Sequence, residues 1–131
     1  MEFPTITAYV AVILALLQYA LMVPVGVARG RSSVSLGDAG DEALLKKIRR
    51  HGNLAENAPI FILVLGLLEA HGGNATAVFY IGVVFVVARL AHALSLSGVA
   101  HGLLRPIGAL GTLFGGVAAA VLLLLALRGG M

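Results

Sequence analysis

The sequence predicts an all-α integral membrane protein folded as a bundle of four transmembrane helices, and three observations carry that prediction. Of 131 residues, 60% are hydrophobic and only 11% charged, with a mean hydropathy of +1.01; a soluble domain carries about a quarter charged residues and cannot cover its surface with so few. Apolar segments recur four times along the chain, each close to the roughly 20 residues that cross a bilayer as a helix. The segments between them are rich in Gly, Ser, Asp and Asn, which favour turns. The whole chain, residues 1–131, therefore reads as one membrane domain.

Span 1, about residues 4–28, contains no charged residue from Phe3 to Ala28. A secretory signal would need a basic start and a shorter apolar core, whereas Glu2 is acidic and the run is too long, so the segment reads as mature structure. A loop is expected over Arg29 to Asp41, with Asp41 as the N-cap of the next helix. Span 2 covers about 44–69, its first turns wet, and ends at the tight turn HGGN, His71 to Asn74. Span 3 covers about 75–96 and is interrupted only by Arg89 and His92. After the connection SLSGVAHGLLR, Pro106 suits a first helical position, and span 4 covers about 106–127.

Orientation follows from the cations. Arg29, Arg31, Lys46, Lys47, Arg49 and Arg50 lie between spans 1 and 2 or at the wet start of span 2, and Arg105 lies on the same side, while the HGGN turn holds no Lys or Arg. The positive-inside rule puts this side in the cytoplasm and both termini outside. The net charge of +3 resides beside apolar spans and forms no aromatic-interleaved patch, so the partner is the membrane surface and no nucleic acid is expected. The absence of cysteine excludes disulfides and thiolate metal sites, and no histidine spacing suggests a metal.

The stretch RRHGNLAENAPIF, Arg49 to Phe61, carries ionisable residues into the start of an apolar helix. At about 100° per residue, positions i, i+4 and i+7 share a face, which aligns Arg49, Asn53 and Glu56; Arg89 and His92, at i and i+3, share another. Ionisable groups at membrane depth face a bundle interior or a wet cavity, so the two faces are expected to meet, with Glu56 neutralising Arg89 or Arg49. Convergence of Arg49, Asn53, His92 and Arg105 at one membrane side suggests a polar ligand site. Elsewhere, Gln18 is expected to bond between helices and Gly111 and Gly115 to let helices approach. His51 reads as facing headgroups or solvent, His71 and His101 as exposed loop residues, and Arg29 and Arg31 as snorkelling. Tyr9, Tyr19 and Tyr80 lie away from the cytoplasmic side.

These residues resemble a known family. The run from Arg49 through Asn53 to Glu56, followed by a strongly apolar helix, is similar to the second-helix signature of the membrane-associated proteins in eicosanoid and glutathione metabolism (MAPEG), in particular the small bacterial inner-membrane branch. The segment ARLAH, Ala88 to His92, resembles the third-helix motif, and Arg105 precedes the fourth helix. The resemblance implies a homotrimer that binds glutathione as co-substrate between subunits near the cytoplasmic face. Arg49, Asn53 and Glu56 would come from one subunit and His92 and Arg105 from its neighbour, with Arg89 on the ligand-binding face of the third helix. Arg105 would stabilise the thiolate for reaction with lipophilic electrophiles or hydroperoxides arriving from the lipid. Asn57 and Leu96 stand where better-known members carry aromatic residues. The alternative within the family is a non-catalytic lipid-binding or scaffold protein. A small multidrug exporter is disfavoured because span 1 lacks the carboxylate that proton coupling needs.

Overall fold

The computed structural model describes residues 3–97 and 102–129 and contains four long helices: α1 (Thr5–Ser32), α2 (Glu42–Ala70), α3 (Ala75–Ser95) and α4 (Leu104–Gly129). All four are long and apolar enough to cross a membrane. His101 lies outside the described residues.

Two boundaries differ from the expected ones for local reasons. α1 runs on through Arg29 to Ser32, where a loop was expected, because Arg29 and Arg31 occupy its last turn and complement the negative end of the helix dipole. It ends at Ser33, which adopts a left-handed φ of 53°. Beyond the helix end, Arg29 Nη2 donates to the Gly37 carbonyl at 3.4 Å. α4 begins at Leu104, so Pro106 is its third residue and not its first. Proline is still tolerated there because the first backbone N–H groups of a helix have no intrahelical acceptor. The same shift puts Arg105 inside the first turn of α4 and out of the preceding connection.

The starts of α2 and α3 carry side-chain caps, Asp41 as expected and Asn74 where only a turn was expected. Asp41 accepts from Ala43 N at 2.8 Å and Leu44 N at 3.1 Å, and Asn74 accepts from Ala77 N at 3.0 Å after a turn in which Gly72 has a φ of 87°. α1 has no such local cap, as Pro4 supplies no side-chain acceptor. Glu69, in the last turn of α2, takes that role: its carboxylate accepts from Ile6 N at 2.8 Å and from both Thr7 N and Thr7 Oγ1 at 2.7 Å. A carboxylate at a helix N-terminus is favoured by the dipole, and in a bilayer no water is present to replace it.

α1 and α4 do not meet among the described residues; each packs on both α2 and α3, which form the middle of the bundle. The core is centred on Phe61 of α2 and Phe85 of α3, whose rings stack with centroids 3.6 Å apart, alongside buried Leu14, Leu65 and Val78. α3 and α4 make the most extensive helix pair. A Cβ at Gly111 would stand 2.7 Å from Ala88 Cβ, and one at Gly115 would stand 3.5 Å from Phe85. Gly108 extends this seam: its Cβ would fall 2.8 Å from His92 N and 2.9 Å from the Ala88 carbonyl oxygen.

Candidate functional site

Arg89 is the polar centre of the bundle. It is 3% exposed, and its guanidinium is held by uncharged acceptors from two other helices. Nη1 donates to the side-chain oxygen of Asn53 and, at 3.4 Å, to the Asn53 carbonyl; Nη2 donates to the Gly108 carbonyl at 3.0 Å. Its Cζ also lies 5.9 Å from the Phe85 ring centroid, within reach of a cation–π attraction. Two further side chains extend the network. Asn57 Nδ2 donates to the Asn53 carbonyl at 2.7 Å, and Thr112 Oγ1 donates to the Gly108 carbonyl at 2.7 Å. Charge-assisted hydrogen bonds of this kind stabilise a buried cation where bilayer water is absent.

The two expected faces therefore do meet, but through Asn53 and Arg89 and not through an ion pair. Glu56 is exposed, and its carboxylate lies over its own helix, with Oε1 3.8 Å from where a Cβ on Gly52 would be. Among the described residues the one ion pair is Lys46 with Glu42 at 2.7 Å, so Glu56 neutralises neither Arg89 nor Arg49. The reason is helical phase. The core-facing residues Leu54, Phe61, Leu65 and Leu68 fix the inward side of α2, and Glu56 points nearly opposite to it at about 100° per residue.

Arg49 is exposed beside Glu56 on the outer side of α2, and Asn53 lies between that stripe and the interior. His92 is half-buried one turn beyond Arg89, within electrostatic range of Arg89, Arg105 and Arg49. Arg105 is exposed at the start of α4. One chain thus gathers Arg49, Asn53, Arg89, His92 and Arg105 at a single end of the bundle, with Glu56 on its outer rim. Arg49 and Glu56 are exposed, whereas both Nη atoms of Arg89 are engaged by protein acceptors, which hold Asn53 in place, and its Nε–H is buried without one.

Several contributors were not legible in the sequence. Asn57, Gly108 and Thr112 join the Arg89 network, and the Gly111 and Gly115 spacing marked only the seam that Gly108 extends. His51 does not face headgroups: its Nε2 lies 2.8 Å from Gln18 Nε2, which provides the bond expected of Gln18 between α1 and α2. No group of three or more potential ligands that could hold a metal occurs among the described residues.

Comparison with known proteins agrees with the four-helix membrane architecture. The chain is 34% identical over 87 residues to the inner membrane protein YecN of Escherichia coli K12, and equally to that of Escherichia coli O6:H1. Each match covers 66% of this chain and 66% of the relative, just under two thirds of its length. The relatives' name and the four apolar helices agree on an integral protein of the bacterial inner membrane. A profile of the MAPEG family matches residues 7–127, nearly the whole of the bundle, and the chain belongs to that family.

Proposed function

We propose that this protein binds glutathione on the outer side of α2 and activates it for transfer to lipophilic electrophiles or for reduction of lipophilic hydroperoxides. The observation that carries this reading is the exposed pair Arg49 and Glu56 on one outer stripe of α2, next to an Asn53 held by Arg89. Glutathione has two carboxylates and one ammonium. A free arginine suits the former, a free glutamate the latter, and a fixed amide gives the peptide a reference point. Holding Asn53 in place before binding reduces the ordering cost at the moment of binding.

In this reading Arg105 acts on the sulfur. A guanidinium next to a thiol favours the anion, and each unit by which the thiol pKa falls corresponds to about 1.4 kcal/mol of preference for the charged form. The thiolate then forms a bond to an electrophilic carbon while the leaving group departs with its electron pair. His92, between Arg89 and Arg105, lines the approach. The outer side of α2 is uncovered in a single chain, so a homotrimer that places it against a neighbouring subunit completes the pocket and gives an apolar substrate access from the lipid.

One feature favours the second reading, a lipid-binding or scaffold protein without catalysis. Asn57 turns its amide back onto its own helix, and Leu96 offers hydrocarbon, so neither presents a hydroxyl to a thiol.

The two readings separate on equilibrium binding measured alongside thiolate ultraviolet absorbance in detergent. Arg49→Ala should weaken glutathione binding by at least about tenfold, or about 1.4 kcal/mol. An interaction that strengthens only as charge develops sets rate and not affinity. Arg105→Ala should therefore leave binding nearly intact while abolishing thiolate absorbance and conjugation of an activated aryl halide. Full thiolate formation in Arg105→Ala removes that residue from the mechanism. Failure of the wild type to bind glutathione leaves the scaffold reading.

A further inference from the structure

The start of α2, the end of α3 and the start of α4 border a cleft of about 680 Å³ whose lining includes Lys46, Lys47, Arg50 and Arg105 together with Asp41 and Glu42. Both carboxylates are already engaged. Asp41 caps α2 by accepting from Ala43 N and Leu44 N, and Glu42 pairs with Lys46 at 2.7 Å. Lys47, Arg50 and Arg105 have no ion-pair partner among the described residues, and the Nε–H of Arg50 is buried without an acceptor. Three uncompensated cations around one concavity repel each other, and a buried donor without an acceptor carries a desolvation cost. An anion bearing several acceptor oxygens relieves both.

We infer that this cleft binds a phosphate-bearing anion, either a phospholipid headgroup or a soluble phosphate ester, with Lys47 and Arg50 as its defining contacts. The planar guanidinium matches phosphate oxygens in pairs, and the lysine adds a point charge. Its volume lies in the range of about 300–1,000 Å³ typical of small-molecule sites, enough for a phosphate and its glycerol. Basic pockets between transmembrane helices on the cytoplasmic side are suited to anionic headgroups, each nearby cation contributing about 1 kcal/mol. The site is separate from the glutathione stripe: at about 100° per residue, Arg50 lies about 100° and Lys47 about 160° around α2 from Arg49. Arg105 borders both sites and is left unaltered in the test.

The experiment compares wild type with two double variants that each remove two cations from the same side of the membrane, Lys47→Gln/Arg50→Gln within the cleft and Arg29→Gln/Arg31→Gln outside it. Retention of added phosphatidylglycerol and phosphatidylcholine is read by native mass spectrometry in mild detergent, and binding of glycerol 3-phosphate by calorimetry. The cleft variant should lose phosphatidylglycerol retention by at least about tenfold, while the α1 variant and all phosphatidylcholine retention stay unchanged. Glycerol 3-phosphate binding that disappears in the cleft variant, without any preference for phosphatidylglycerol, assigns the site to a soluble ester. Equal loss in both double variants reports bulk charge, and no loss in either reports no site; each result, without glycerol 3-phosphate binding, overturns the inference. Should the double variant unfold, Lys47→Gln alone should lower retention about fivefold. None of these readouts involves glutathione, so the result stands apart from the proposed transferase activity.

Discussion

The seam between α3 and α4 and the outer side of α2 both carry ionisable residues into a membrane helix, yet they treat them in opposite ways. In the seam, glycines bring the helices so close that the Gly108 carbonyl reaches the Arg89 guanidinium, and every element of that arrangement comes from one chain. On the outer side of α2, Arg49 and Glu56 are exposed, and Ile60, Leu63 and Leu67 further along the helix are exposed as well. The comparison teaches that the buried charge in the seam is met by acceptors of its own chain at both Nη atoms, while the α2 surface leaves Arg49 and Glu56 uncovered by the chain itself.

The largest effect expected from this contrast lies in the seam. Asn53→Leu removes the best acceptor of Arg89 and strands a buried cation, which should cost about 3–5 kcal/mol in detergent unfolding measured without glutathione. Adding Arg89→Leu removes the stranded charge, so the double variant should recover most of the loss. A coupling energy under about 0.5 kcal/mol would show that the two residues act independently.

A smaller effect tests the close approach itself. Gly108→Val pushes a side chain into the backbone of α3 and should destabilise by about 1–3 kcal/mol. Gly116 has nothing within 4 Å of its missing Cβ, so Gly116→Ala should be neutral or stabilise by up to about 1 kcal/mol through its better helix propensity. Similar melting shifts for the two variants would mean that helix propensity, and not packing, governs α4.

The smallest effect on the subunit sharpens the other half of the comparison. Glu56→Leu should change the unfolding of the isolated subunit by no more than about 0.5 kcal/mol, because the side chain is exposed. The same substitution should lower the trimer population in native mass spectrometry, with Glu56→Gln intermediate. Wild type that appears only as monomer or dimer would separate the α2 surface from any threefold assembly.

Much of the architecture was legible because bilayer physics is one-dimensional. Four apolar runs of sufficient length, the cap at Asp41, and the glycine turn after α2 are local properties, so helix number and most boundaries follow from them. The departures were local as well: α1 continued past Ala28 because arginines suit a helix end, and α4 started before Pro106 because a first turn tolerates proline. The stripe of Arg49, Asn53 and Glu56 was legible for the same reason, since spacing along one helix fixes relative direction.

What spacing could not give was absolute direction and distant partners. Whether Glu56 or Asn53 answers Arg89 depends on which side of α2 faces inward, and that is set by Phe61 stacking on Phe85 across the bundle. The cap on α1 comes from Glu69, 62 and 63 residues away in sequence from the amides it receives. His51 met Gln18 instead of headgroups for a similar reason. The sequence by itself determined that there would be four spans and a polar stripe at one end. Only the tertiary structure decided which polar groups pair, because the acceptors within reach of a buried donor are those that packing delivers, and packing is a property of the whole bundle.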